Sequence, residues 1–194
     1  HQPVEHLPSL RIIPGLTVIR PADARETAAA WVYCVQQASG PVALVLTRQG
    51  LPVLKETEKS IADLSKGAYI LSETEGKPLD LILIASGSEV SLVMEAKKEL
   101  ETEGLAVRVV SMPSWELFEQ QDEEYRNHVL PPYLKKRLAV EMAYPLGWER
   151  YVGDDGDVLG ITTFGASAPG GKVMEEFGFT VSNVVQRAKA LLNQ

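Results

Sequence analysis

The chain has almost no means of bracing itself covalently. Cys34 is its single cysteine in 194 residues, so an intramolecular disulfide is excluded and the composition fits a reducing, cytoplasmic setting. Long apolar runs are missing too: Gly, Ser or a charged residue interrupts every hydrophobic stretch well short of the ~20 residues a membrane-spanning helix needs. Basic residues are outnumbered, 19 Lys and Arg against 26 Asp and Glu, for a formal net charge of −7. That balance gives no electrostatic support to non-specific binding of nucleic-acid phosphates. Histidine is scarce. His1 and His6 do not stand at a zincin spacing and have no cysteine near them, and His128 reads as a surface residue. An internal repeat, a low-complexity segment, a signal peptide and an initiator Met are all lacking; the chain opens His1-Gln2-Pro3. What remains is ordinary globular usage, 45% hydrophobic and 23% charged, which excludes a disordered or collagen-like chain.

The apolar pattern alternates between strand and helix. Residues 17–20 are short and β-branched, and Pro21 stops them. Asp23 and Glu26 stand at capping-box spacing, which predicts a helix from about Ala24 whose apolar face is Ala28, Trp31, Cys34, Val35 and Ala38. Residues 42–46 form a continuous apolar run, as expected of a strand buried on both faces. Residues 52–66, rich in charge and without strong periodicity, read as a linker. Further strands are expected at 68–72, 79–85, 107–112, 138–142 and 158–162. Ser86 and Glu89 repeat the capping-box spacing before a helix with Leu92, Val93, Ala96 and Leu100 inward and Lys97 mostly on the wet face. Val181, Val184, Val185, Ala188, Leu191 and Leu192 mark a final helix, with Thr180 as its cap.

These alternations predict an α/β fold with a mostly parallel sheet flanked by helices. It is preceded by a strand–helix–strand remnant of a second α/β domain. The boundaries read 1–51 for the remnant, 52–66 for the linker and 67–194 for a complete domain. So short a remnant buries too little surface to stand alone.

Arg48 is the most informative single residue. It follows the run 43–47 and precedes Gln49-Gly50. Open parallel sheets bind ligands beyond the carboxyl ends of their strands, where a guanidinium is well placed to grip a phosphate. The alternative is a surface arginine at a strand end. Residues 165–171 and 86–88 are small-residue loops before helices, but neither spacing matches a phosphate loop, a dinucleotide fingerprint or a nucleophile elbow. Asp154-Asp155-Gly156-Asp157 fails the calcium-loop pattern, because Leu159 and Gly165 stand where Gly and Glu are required. Cys34 reads as an inert thiol in the core, and Trp115 as a packing anchor or an interface residue.

Several segments together resemble transketolase. His1-Gln2-Pro3 resembles the end of that family's Asp-Gly-Pro-Thr-His-Gln-Pro segment. Leu46-Thr47-Arg48-Gln49 with Leu51-Pro52 resembles its Arg-Gln-Asn-Leu-Pro signature, with Gly50 in place of Asn. Residues 84–90, 109–114 and 163–169 resemble segments of its C-terminal domain, and Glu175-Glu176-Phe177-Gly178-Phe179-Thr180 resembles the run before its last helix. The likeness is in register from His1 to Gln194. A dihydroxyacetone synthase or another thiamine enzyme of the same family is the alternative.

The resemblance implies a thiamine-diphosphate enzyme dependent on a divalent metal, Mg or Ca, acting as a homodimer that moves a two-carbon ketol unit between sugar phosphates in the pentose phosphate pathway. It places Arg48 on the sugar's phosphate and His1 in the substrate channel. The family's cofactor-activating Glu, its metal ligands and the Asp preceding the channel His have no counterpart among these residues. The expectation is therefore a C-terminal portion of a larger enzyme, cut within the substrate channel. By itself it would be inactive and bind no cofactor, and it would serve as a structural and dimerisation portion.

Overall fold

The computed structural model describes residues 2–193. In chain order the elements are α1 (His6–Arg11), β1 (Thr17–Ile19), α2 (Ala24–Gln36), β2 (Val42–Leu44), α3 (Ser60–Asp63), β3 (Tyr69–Glu73), β4 (Leu81–Ala85), α4 (Glu89–Thr102), β5 (Val107–Ser111), α5 (Trp115–Glu119), α6 (Glu123–Val129), β6 (Arg137–Val140), α7 (Glu149–Val152), β7 (Asp157–Leu159), α8 (Gly170–Glu176) and α9 (Val181–Leu192). The fold is mixed α/β. A five-stranded sheet has the order β3-β5-β4-β6-β7. Its strands run parallel except β3, which pairs antiparallel with β5 at one edge.

The sheet is covered on both faces, so its central strands are apolar at successive positions. Leu81, Leu83 and Ala85 face α4 and α9, while Ile82 and Ile84 face the layer of α5, α6 and α7. On the first face, α9 buries Val184, Val185, Ala188 and Leu191, the stripe its periodicity predicts; Thr180 caps it by accepting from Asn183 N. Each such aliphatic side chain contributes ~1.5–3 kcal/mol on burial. The second face is aromatic: Trp115, Trp148 and Tyr151 meet edge to face with centroids 4.9–5.9 Å apart. Trp115 is thus a packing anchor, with the Arg11 guanidinium 3.8 Å above its ring.

The N-terminal unit is a two-stranded parallel sheet of β1 and β2 with α2 as the connection. It packs on the larger domain through Ile19, Ala29 and Ala30 against Leu64 and Leu117, and through Leu7 and Val18 against Ala143.

Several local expectations are corrected. The buried stripe of α2 is Glu26, Ala29 and Ala30, whereas Trp31 and Val35 are 57% and 80% exposed. The partner of α2 is the segment 55–66, which reaches the helix from the side opposite the larger apolar residues. That segment is itself folded into helical turns, with Thr57, Ser60 and Leu64 buried. β2 is only half-buried at every position, and Leu46 beyond it is exposed, because nothing described covers its outer side. Cys34 is half-buried rather than in a core. Lys97 is buried, its ammonium 2.7 Å from Glu101 one turn on.

The second capping box does not form. Ser88, not Ser86, precedes α4, and its side chain makes no cap. Ser86 Oγ donates instead to Glu141 and Glu89 pairs with Arg20, because both are drawn into a buried ionic cluster between the two units.

Candidate functional site

An arginine follows each of the two parallel strands of the N-terminal unit, Arg20 directly after β1 and Arg48 four residues beyond β2, and the two have different fates. Arg20 follows β1 and turns inward. Its Nη1 reaches Glu89 Oε2 at 2.5 Å and the Ser86 carbonyl at 2.6 Å. Beside it, Arg11 grips Glu141 through two parallel bonds of 2.7 Å. Glu141 also accepts from Ser86 Oγ and from Trp148 Nε1 at 2.9 Å. Burial alone would raise the Glu141 carboxyl, but the Arg11 and Arg20 guanidiniums outweigh it and hold the group at about 2. Both arginines are therefore neutralised and structural.

A second buried cluster lies below the start of α2. Asp23 caps the helix by accepting from Arg25 N and Glu26 N, and its other oxygen accepts from Thr57 Oγ1 and Leu54 N. The predicted reciprocal contact differs in one detail: Glu26 Oε2 accepts from Ala22 N rather than from Asp23 N. Glu26 Oε1 accepts from Tyr69 Oη and Ser111 Oγ, both at 2.6 Å. Burial raises the Glu26 pKa, although these hydrogen bonds oppose it.

Arg48, beyond β2, points elsewhere. Its side chain is exposed and lines a cleft of about 730 Å³ between the N-terminal unit and the larger domain. Among the described residues it makes no ion pair. Thr47 and Gln49 on either side are joined: Thr47 Oγ1 donates to Gln49 Oε1 at 2.8 Å and accepts from Gln49 N at 3.4 Å. The facing walls are Gly87-Ser88 at the start of α4 and the loop leading into α8, with Ala166, Ala168 and Gly170. Three candidate segments far apart in sequence therefore meet around one cavity. Among the described residues, no acidic side chain lines it. Arg20 reaches its wall already paired with Glu89. Among the described residues, Arg48 is thus the cation of this cleft left open to an anion.

The remaining candidates fall away from this cleft. His6 begins α1 and is exposed, as is His128 in α6. Asp155 and Asp157 pair with Lys135 at 4.0 Å and Arg187 at 2.7 Å, so the acidic turn before β7 is an ion-paired surface. His1 lies outside the described residues. The first described residues are tied to the larger domain by backbone hydrogen bonds: Gly165 N donates to Gln2 O at 2.9 Å and Tyr144 N to Val4 O at 2.8 Å.

Sequence reasoning missed Arg20, Glu89, Glu141 and Arg11 as a group. Arg20 carried the same signal as Arg48, an arginine at a strand's carboxyl end. Only the distant Glu89 distinguishes them.

The chemistry of the lining bears on which group this cleft suits. Thiamine diphosphate needs a carboxylate for its aminopyrimidine and oxygen ligands for the metal on its diphosphate. Among the described residues the cleft offers no carboxylate, and no cluster of His, Cys, Asp or Glu is placed to hold a metal ion. The residues described do not by themselves fit the cofactor. What Arg48 can do there is hold an anion.

Comparison with known proteins bears on the same point. Residues 67–180 match the family described as Transketolase-like TK C-terminal domain, and residues 1–53 match the transketolase pyrimidine binding domain. The transketolase of Geobacillus stearothermophilus is 55% identical over all of this chain, which spans 29% of that protein. Among solved structures, transketolase from Leishmania mexicana superposes with a TM-score of 0.91 at 41% identity, covering the whole chain and 28% of its own. Transketolase from Pichia stipitis in complex with sedoheptulose-7-phosphate gives 0.90 at 39%, covering the whole chain and 27% of its own. With the C-terminal domain matched across the five-stranded sheet and the curated likeness running its full length, the chain belongs to the transketolase family.

Proposed function

We propose that this chain is the part of a transketolase that receives the phosphate end of a sugar phosphate. The observation that supports it is Arg48: among the described residues it has no acidic partner and its cleft no acidic lining. A guanidinium offers two parallel N–H donors to phosphate oxygens, so it fixes orientation as well as charge. Gripping the far end of an extended sugar sets how far its carbonyl reaches, and such positioning lowers the barrier by removing rotational freedom before reaction. Residues 1–51 end a pyrimidine-binding domain, 52–66 connect, and 67–194 form the C-terminal domain.

Thiamine diphosphate with Mg or Ca would be held by residues other than those described and would supply the electron sink for transfer of the two-carbon unit. The chain alone is then inactive. Its contribution is to bind the substrate phosphate and to support the homodimer, in a cytoplasmic enzyme of the pentose phosphate pathway. Among the described residues no helix is long and apolar enough to cross a membrane.

The test is Arg48→Leu in the enzyme that carries this chain. With sedoheptulose-7-phosphate, KM is expected to rise about 10- to 100-fold, the worth of one or two charge-assisted hydrogen bonds. With the same sugar lacking its phosphate, kinetics should not change. Equal loss on both sugars, or no loss on either, rejects the assignment.

A further inference from the structure

Gly170 opens α8 in the larger domain, yet its nearest neighbour outside its own loop is Gln49 of the N-terminal unit. A Cβ built on Gly170 would lie 2.7 Å from Gln49 Nε2 and 2.9 Å from its Cδ and Cγ. All three distances are shorter than side-chain carbons tolerate. The Gln49 side chain therefore rests on a bare α-carbon. The oxygen of the same amide is engaged with Thr47, whose hydroxyl donates to it and accepts from the backbone N–H of Gln49. Thr47 and Gln49 flank Arg48, so this clasp shapes the turn that presents the guanidinium.

We propose that Gly170 is a positioning residue for Arg48. By seating Gln49 it holds the Thr47–Gln49 clasp closed, and the larger domain thereby tunes phosphate affinity without contributing a charge to the site. The inference rests on the reading of Arg48 as the phosphate ligand. Gly170 is not among the glycines with positive φ, so its backbone conformation admits alanine, a better helix former. Its lack of a side chain answers to Gln49 rather than to the backbone.

The experiment is a double-mutant cycle of Gly170→Ala and Gln49→Ala in the enzyme that carries this chain, with Arg48→Leu alongside. Each variant is assayed with sedoheptulose-7-phosphate and with the unphosphorylated sugar. Gly170→Ala is expected to raise KM for the phosphorylated sugar about 3- to 10-fold, with kcat and the unphosphorylated sugar unaffected, because the displaced Gln49 leaves Arg48 loosely held. Gln49→Ala should do the same, and the double variant should be no worse than Gln49→Ala alone. Gln49 is exposed, so its variant probes the clasp without risk to folding. If Arg48→Leu removes the phosphate preference while Gly170→Ala leaves KM unchanged, or the two single effects multiply in the double variant, the positioning role is overturned and the Arg48 reading survives. If Arg48→Leu itself leaves the preference intact, both fall.

Discussion

The Arg20 guanidinium lies across Gly87. A Cβ on Gly87 would fall 2.5 Å from Arg20 Nη1 and 2.8 Å from Arg20 Cγ, and Gly87 holds φ at +57°. The backbone joins them as well, Gly87 N donating to Arg20 O at 3.0 Å. The glycine of the 86–88 loop is therefore the seat of an interdomain ion pair, and no anion need be invoked to explain it.

Gly87→Ala is expected to dislodge Arg20 from Glu89 and leave a charge buried without its partner. Breaking such a pair costs about 3–5 kcal/mol. Urea denaturation of the 194-residue chain should show the loss as a lower midpoint. Arg20→Met should cost less than Gly87→Ala, because it adds neither clash nor left-handed strain, although it still strands Glu89.

Acid should weaken the junction through Glu141. Its carboxyl ionises at about 2 when folded against an ordinary value of 4.5. A carboxyl whose folded pKa is depressed adds stability above the unfolded value, and that stability is lost as pH falls from 4.5 toward 2. Stability measured across this range should fall in the parent chain. In Glu141→Gln that component of the slope should vanish. The variant should also be less stable at neutral pH, since Arg11 keeps its burial without its counter-charge.

Glu26 has the opposite sign. Burial raises its folded pKa, so its contribution is fully present below the unfolded value of 4.5 and is lost as pH rises through the folded one. Glu26→Gln should flatten the decline in stability that sets in as pH rises above 4.5. Comparing slopes rather than absolute values removes the separate cost of the hydrogen bond from Ala22 N, which an amide nitrogen cannot accept. An unchanged slope would mean that Glu26 is ionised without penalty.

The observed face of α2 predicts an inverted pattern of sensitivity. Leu64 is fully buried against Ala29 and Ala30, and Leu64→Ala should destabilise the 194-residue chain by about 2–5 kcal/mol. Val35, 80% exposed, should tolerate Val35→Ser within about 0.5 kcal/mol. If the two costs were similar, Val35 would be packed.

What the sequence made legible follows from which interactions are local. The helix at 181–192 and its Thr180 cap were readable, because apolar spacing and a side-chain bond three residues away are both written into one segment. The start of α2 at Asp23 was readable for the same reason. Its buried face was not, because Trp31, Val35 and Ala29 are all apolar, and only the position of Leu64 decides which of them is covered. The Ser86–Glu89 spacing misled because both residues had stronger partners more than fifty positions away, in Glu141 and in Arg20.

Taken by itself, the sequence determined the α/β alternation, the single unpaired thiol, the acidic balance, and the arginines at two strand ends. Each of these depends on composition or on near neighbours. Tertiary structure alone decided that Arg20 is neutralised by Glu89 while Arg48 faces a cleft with no acidic lining among the described residues. It likewise brought the 86–88 and 165–171 loops and Gln49 to that cleft's walls. A charge is structural or functional according to what chain folding brings within a few ångströms of it, where the Coulomb energy is large, and that distance is not written in the sequence around it.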